Sequence, residues 1–197
     1  MIKASWLESE AATDISLVFI MFIGHLPAGY LTTKAILSRT RAGSDDAKTG
    51  VILISVGLMA SLLTDLDMLY FYLIDHRQHL HHGYWTHLPI FWLIVCLGIF
   101  ASSALVRSKI GLLVAMIFTV NIFGHLLLDT ITGGIRWLAP WSPRPFTLVM
   151  VQAQYDWWVL NFMGHWSFAI EILLVFVALL VFGKSIKTQR LANQHDA

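Results

Sequence analysis

Five apolar runs constrain this chain more than anything else in it. They cover about residues 15–37, 51–74, 88–106, 110–131 and 163–183, each close to the roughly twenty residues a helix needs to cross a bilayer. Backbone polar groups in hydrocarbon must be satisfied within helices or a closed barrel. Barrel strands would read as alternating segments of about ten residues, and the sequence has none. The chain therefore reads as all-α, an integral membrane helical bundle with about five transmembrane helices forming a single domain over 1–197. Composition agrees, with 57% hydrophobic and 13% charged residues. Glu8, Glu10 and Asp14 stand where a signal peptide would be basic, so the first run is expected to stay in the protein. A net charge of +1 without a long basic block argues against nucleic acid as a partner.

Lysine and arginine set the expected orientation. Lys34, Arg39, Arg41 and Lys48 surround the first connection, Arg107 and Lys109 the third, and Lys184, Lys187 and Arg190 the tail. These nine of the thirteen basic residues fall on one side of a five-span topology. That side is the cytoplasm by the positive-inside rule. The N-terminal segment 1–14, the connection near 75–87 and the 132–162 connection are then outside, and the tail 184–197 is cytoplasmic.

Ionisable residues inside the runs are the next constraint. A lone charge at the centre of a membrane helix costs about 2.5–3.5 kcal/mol on insertion scales, so such residues face a polar interior and a partner. Asp65 and Asp67 lie in the second run, His125 and Asp129 in the fourth, His25 in the first, and His165 and Glu171 in the fifth. Alternating helix directions bring Asp65, Asp67, His125, Asp129 and His165 into the outer half of the membrane. His25 is expected roughly 15 Å down the first helix, at 1.5 Å per residue. In "GHLLLDT", His125 and Asp129 are four apart, which stacks imidazole and carboxylate on one face where both reach one cation. Asp65 and Asp67 in "TDLD" would point in nearly opposite directions on an α-helix, which predicts that the helix opens there beside a polar cavity.

The connection "DHRQHLHHGYWTH" (75–87) carries five of the nine histidines. His76 and His79 read as interfacial, alongside Tyr84 and Trp85 in an aromatic belt. His82 and His87 are the candidates for ligation, because Gly83 permits a tight turn and Thr86-His87 opens the third run. A His/Asp set suits Zn²⁺, with Mn²⁺ or Fe²⁺ as alternatives. Cys96, the sole cysteine, lies in an apolar run, so a cysteine-based site is excluded.

"GHLPAGYL", "SLLTDLD", "HHGYWTH", "GHLLLDTIT" and "WLAPWSPRPF", in that order, resemble the YdjM-like proteins, a LexA-binding, inner-membrane-associated family of hydrolase type. That family is grouped more distantly with zinc-dependent phospholipase C and related nucleases, which implies a similar helical core around clustered metal ions. The resemblance implies metal ligation by His125 and Asp129, by His25 as an early histidine, and by His82 or His87. It assigns Asp65 or Asp67 as general base; we take Asp65 as the catalytic residue and Asp67 as a ligand. A LexA-type partner is implied by the family name alone. Thr64 stands where the family usually has proline, and one extra residue precedes Thr86. His165 and Glu171 are six apart, so they do not match the family's His-x-x-x-Glu element.

The expected function is metal-dependent hydrolysis of a phosphoester, such as a membrane lipid headgroup, with Arg144 or Arg136 pairing with phosphate. The alternatives are a divalent-metal carrier or sensor, and a scaffold whose His–Asp pairs fasten helices. "VILISVGLMAS" and "IGLLVAMIFT" on the cytoplasmic side favour a one-sided site over a through-path.

Overall fold

The computed structural model describes residues 15–40, 46–76, 78–79, 81–156 and 158–195. The acidic segment 1–14 lies outside the described residues. Helix α1 runs Ile15–Thr40, α2 Ala47–Leu63, α3 Asp67–Leu73, α4 Pro89–Leu105, α5 Lys109–Thr132, α6 Trp158–Met163 and α7 Phe168–His195. Among the described residues there is no strand beyond one isolated antiparallel bridge, Ile135 to Phe146. The fold is all-α, as expected. Three helices are long and apolar enough to span a membrane: Ala47–Leu73, which joins α2 and α3, then Lys109–Thr132 and Phe168–Thr188. The third apolar run is the shorter helix α4. The first is the 26-residue α1.

The centre of the bundle is a three-helix unit of α1, α2 and α5. Leu37 packs with Leu53 and Ile117 at one end. Gly29 approaches Ser61 in the middle, and His125 Nδ1 contacts the Ser61 carbonyl at 2.7 Å toward the other. This sequence of contacts makes α1 antiparallel to both α2 and α5. Close approach is made possible by two glycines: a Cβ on Gly57 would lie 1.9 Å from Thr33 Oγ1, and one on Gly29 2.5 Å from Ser61 Oγ. Thr33 Oγ1 donates to the Gly29 carbonyl at 2.7 Å and accepts from Asn121 Nδ2 at 3.1 Å. Small residues and interhelical hydrogen bonds replace the hydrophobic effect as the source of helix association in lipid.

Two further helices complete the frame. Ala60, Ile122 and Leu126 form a buried cluster with Trp92 of α4. Helix α7 packs on α1, where Gly24 meets Glu171 and Tyr30 meets Phe182 edge to face at 6.0 Å, so the two run parallel. The last carbonyls of α5 have no partners within the helix. The returning chain supplies them: Leu148 N–H donates to Thr130 and Val149 N–H to Ile131. That cap holds the turn carrying Asp129.

Between α2 and α3 the helix tightens into a 3-10 turn, Thr64–Leu66; it does not open as expected. In a 3-10 turn successive residues advance about 120°, against about 100° in an α-helix. Residues two apart are then separated by about 120° instead of about 160°, so Asp65 and Asp67 can both serve one region without loss of backbone hydrogen bonds.

Candidate metal centre

Four buried side chains, Asp65, His87, His125 and Asp129, each direct one ligand atom into a common space, all within 4.8 Å of one another. His125 Nε2 lies 3.0 Å from Asp129 Oδ2 and 3.4 Å from Asp65 Oδ1. His87 Nε2 lies 3.5 Å from each of the same two oxygens. Despite these separations, His125 Nε2, Asp129 Oδ2 and both Asp65 oxygens have no hydrogen-bond partner. Atoms that close without hydrogen-bond geometry converge on a point between them. With ligand bonds of about 2.0–2.1 Å, a tetrahedral ion separates its ligands by about 3.3 Å. The four histidine–carboxylate separations, 3.0–3.5 Å, fit that edge. The group can therefore hold a metal ion.

The surrounding contacts fix both imidazoles from behind. His125 Nδ1 donates to the Ser61 carbonyl at 2.7 Å, which leaves Nε2 as the ligand atom. His87 Nδ1 contacts Asp67 Oδ2 at 2.8 Å, so a carboxylate sits behind this histidine, the arrangement that fixes tautomer and ring orientation at metal sites. Thr86 Oγ1 also donates to Asp67 Oδ2. The Trp85–His87 3-10 turn is anchored by Trp92 Nε1, which donates to the Thr86 carbonyl at 2.5 Å.

His25 and His82 border the same carboxylate. His25 Nε2 is 3.2 Å from Asp129 Oδ1, and its ring stacks on His125 with centroids 3.9 Å apart. His82 Nε2 is 3.8 Å from Asp129 Oδ2. Its approach depends on Gly133, where a Cβ would lie 2.3 Å from His82 Cε1. Of the seven site residues expected from sequence, four thus form the convergent group; Asp67 lies behind His87, and His25 and His82 flank Asp129. His79 stands at the cavity rim outside the convergent group, with Nδ1 2.6 Å from Asp75 Oδ1. Burial raises the Asp75 carboxyl, but the bonds from His79 outweigh it and hold it down to about 2. His165 pairs with Ser167. His81 lies outside the residues whose side chains are described.

A cavity of about 780 Å³ opens beside the group, lined by His25, His82, Asp129, Arg136 and Glu171 on its polar side. Met68, Phe71, Leu128, Ile131, Phe162 and Ile170 supply apolar wall. Arg136 is the arginine at the cavity; Arg144 is exposed and does not line it. Sequence reasoning missed Gly24 and Gly133 as clearance positions and the Thr86 hydroxyl as a partner of Asp67. Thr86 adjoins a candidate ligand, which was its only signal.

Fold and centre together define an all-α protein with candidate membrane spans and a buried Asp/His group able to hold a metal ion. The sequence model of the family described as YdjM inner membrane protein matches residues 20–191, and the chain belongs to that family. No curated protein and no solved structure matches it.

Proposed function

We propose that the protein is a membrane-embedded, metal-dependent hydrolase of phosphoesters carried at headgroup depth, with zinc as the preferred ion. The observation that carries this reading is the convergence of four buried ligand atoms, hydrogen-bond-orphaned carboxylate oxygens among them, at the edge of an open cavity. Asp65, His87, His125 and Asp129 would hold the ion, and Asp67 would keep His87 in the right tautomer. A divalent ion held there that also took a water from the cavity side would make that water acidic near neutral pH and polarise a phosphoryl oxygen.

The protein's own groups supply the rest. Asp65 has a second oxygen, Oδ2, without a partner; it is placed to accept the proton of an attacking water while Oδ1 faces the two histidines. Arg136 binds a phosphate oxygen at the cavity wall. The apolar walls exclude competing water and suit a substrate that arrives from the leaflet. The distribution of basic residues supports an outer position for this end of the bundle and a cytoplasmic C-terminus.

The test is turnover of a short-chain phospholipid by zinc-loaded protein in detergent, read as release of a phosphorylated or free headgroup. Activity in the wild type that falls at least about a thousand-fold in Asp129→Asn is expected. Equal turnover by Asp129→Asn contradicts the assignment.

A further inference from the structure

Glu171 belongs neither to the convergent ligand group nor to the groups assigned to hydrolysis. It sits in the first turn of α7, lines the cavity, and has an enclosed Oε2 without a hydrogen-bond partner. Its direction is set by Gly24, on the face of α1 that it crosses. A Cβ at position 24 would come within 2.9 Å of Glu171 Cγ and 3.1 Å of Cδ, so any larger residue would displace the carboxylate. A carboxylate steered into a membrane cavity calls for a cation.

The charges near the centre indicate which kind of cation would suit it. Asp65 and Asp129 balance one divalent ion. Asp67 is engaged by Thr86 and His87. The phosphate of a diester balances Arg136. Glu171 is left over, in the same cavity as Arg136 and with the apolar wall between α3, α5 and α7. Resting on the phosphoester reading above, we propose that Glu171 binds the ammonium group of a zwitterionic phospholipid, so that the substrate class is a lipid whose headgroup carries both phosphate and amine. Its phosphate lies between the metal centre and Arg136, its amine at Glu171, and one acyl chain along Phe71, Leu128 and Ile170. A purely anionic headgroup would satisfy Arg136 and leave Glu171 facing a hydroxyl or nothing.

The experiment is binding, which does not require turnover. Zinc-loaded protein in detergent is titrated with dihexanoyl phosphatidylethanolamine and with dihexanoyl phosphatidylglycerol, and metal per chain is measured in parallel. The wild type should bind the ethanolamine lipid about ten-fold more tightly, the effect of one charge-assisted contact. Glu171→Gln should erase that preference with metal content and phosphatidylglycerol affinity unchanged. Gly24→Ala, which pushes the carboxylate aside, should erase it as well and guards against a folding artefact of the first variant. Phosphoethanolamine without acyl chains should bind more weakly than the lipid. Equal wild-type affinity for the two lipids overturns the proposal, as does a metal equivalent lost in Glu171→Gln, which would make Glu171 a ligand. Preferential binding without any hydrolysis would support the headgroup site while refuting the hydrolase reading.

Discussion

Asp67 would act on a bound ion through His87; its carboxylate accepts from both Thr86 and His87 Nδ1. Asp67→Asn keeps the volume and removes the charge that holds the imidazole. A ten- to hundred-fold weaker affinity for zinc is expected, in the range for such outer partners, measured by competition with a chromophoric chelator. Unchanged affinity would show that Asp67 is a spectator. His125 and Asp129 were legible as a pair because a spacing of four stacks side chains on any α-helix. The partition of roles between Asp65 and Asp67 was not legible, because it depends on a 3-10 turn of three residues. His87 and His82 could not be ranked from sequence either. What separates them is the turn pinned by Trp92, which donates to the carbonyl of Thr86 six residues earlier.

Among the elements, α1, α2 and α5 hold the centre in register through the polar contact at Thr33 and Asn121. Gly57→Ala would place a methyl group 1.9 Å from Thr33 Oγ1 and should destabilise the protein by about 1–3 kcal/mol, as overpacked cores do. Removing the hydroxyl should restore part of the loss, so Gly57→Ala with Thr33→Ala is expected to be more stable than the sum of the two single changes. Unfolding in mixed micelles provides the measurement, and strict additivity would contradict the close contact. The helices themselves were legible because apolar runs of membrane length have few alternatives. Their packing was less so: Gly29 and Gly57 become meaningful only once Ser61 and Thr33 are known to face them.

On the scale of the whole molecule, the centre is one-sided. Among the described residues, the end of the bundle opposite the cavity is closed by the apolar cluster of Leu37, Leu53 and Ile117, which weighs against a carrier. The apolar sequences at that end already carried this distinction, whereas the cavity did not appear in the sequence, because its walls come from α1, α3, α5, α6 and α7 together. The scaffold alternative has equally firm consequences: His–Asp pairs that only fasten helices need no ion. The decisive measurement is metal per chain, by elemental analysis of detergent-purified protein, for the wild type and for His125→Ala and Asp129→Ala. About one zinc or other divalent ion per chain is expected, retained above neutral pH and released by acid as the ligands protonate, and lost in both variants. Wild-type protein that stays metal-free after reconstitution with zinc would contradict it.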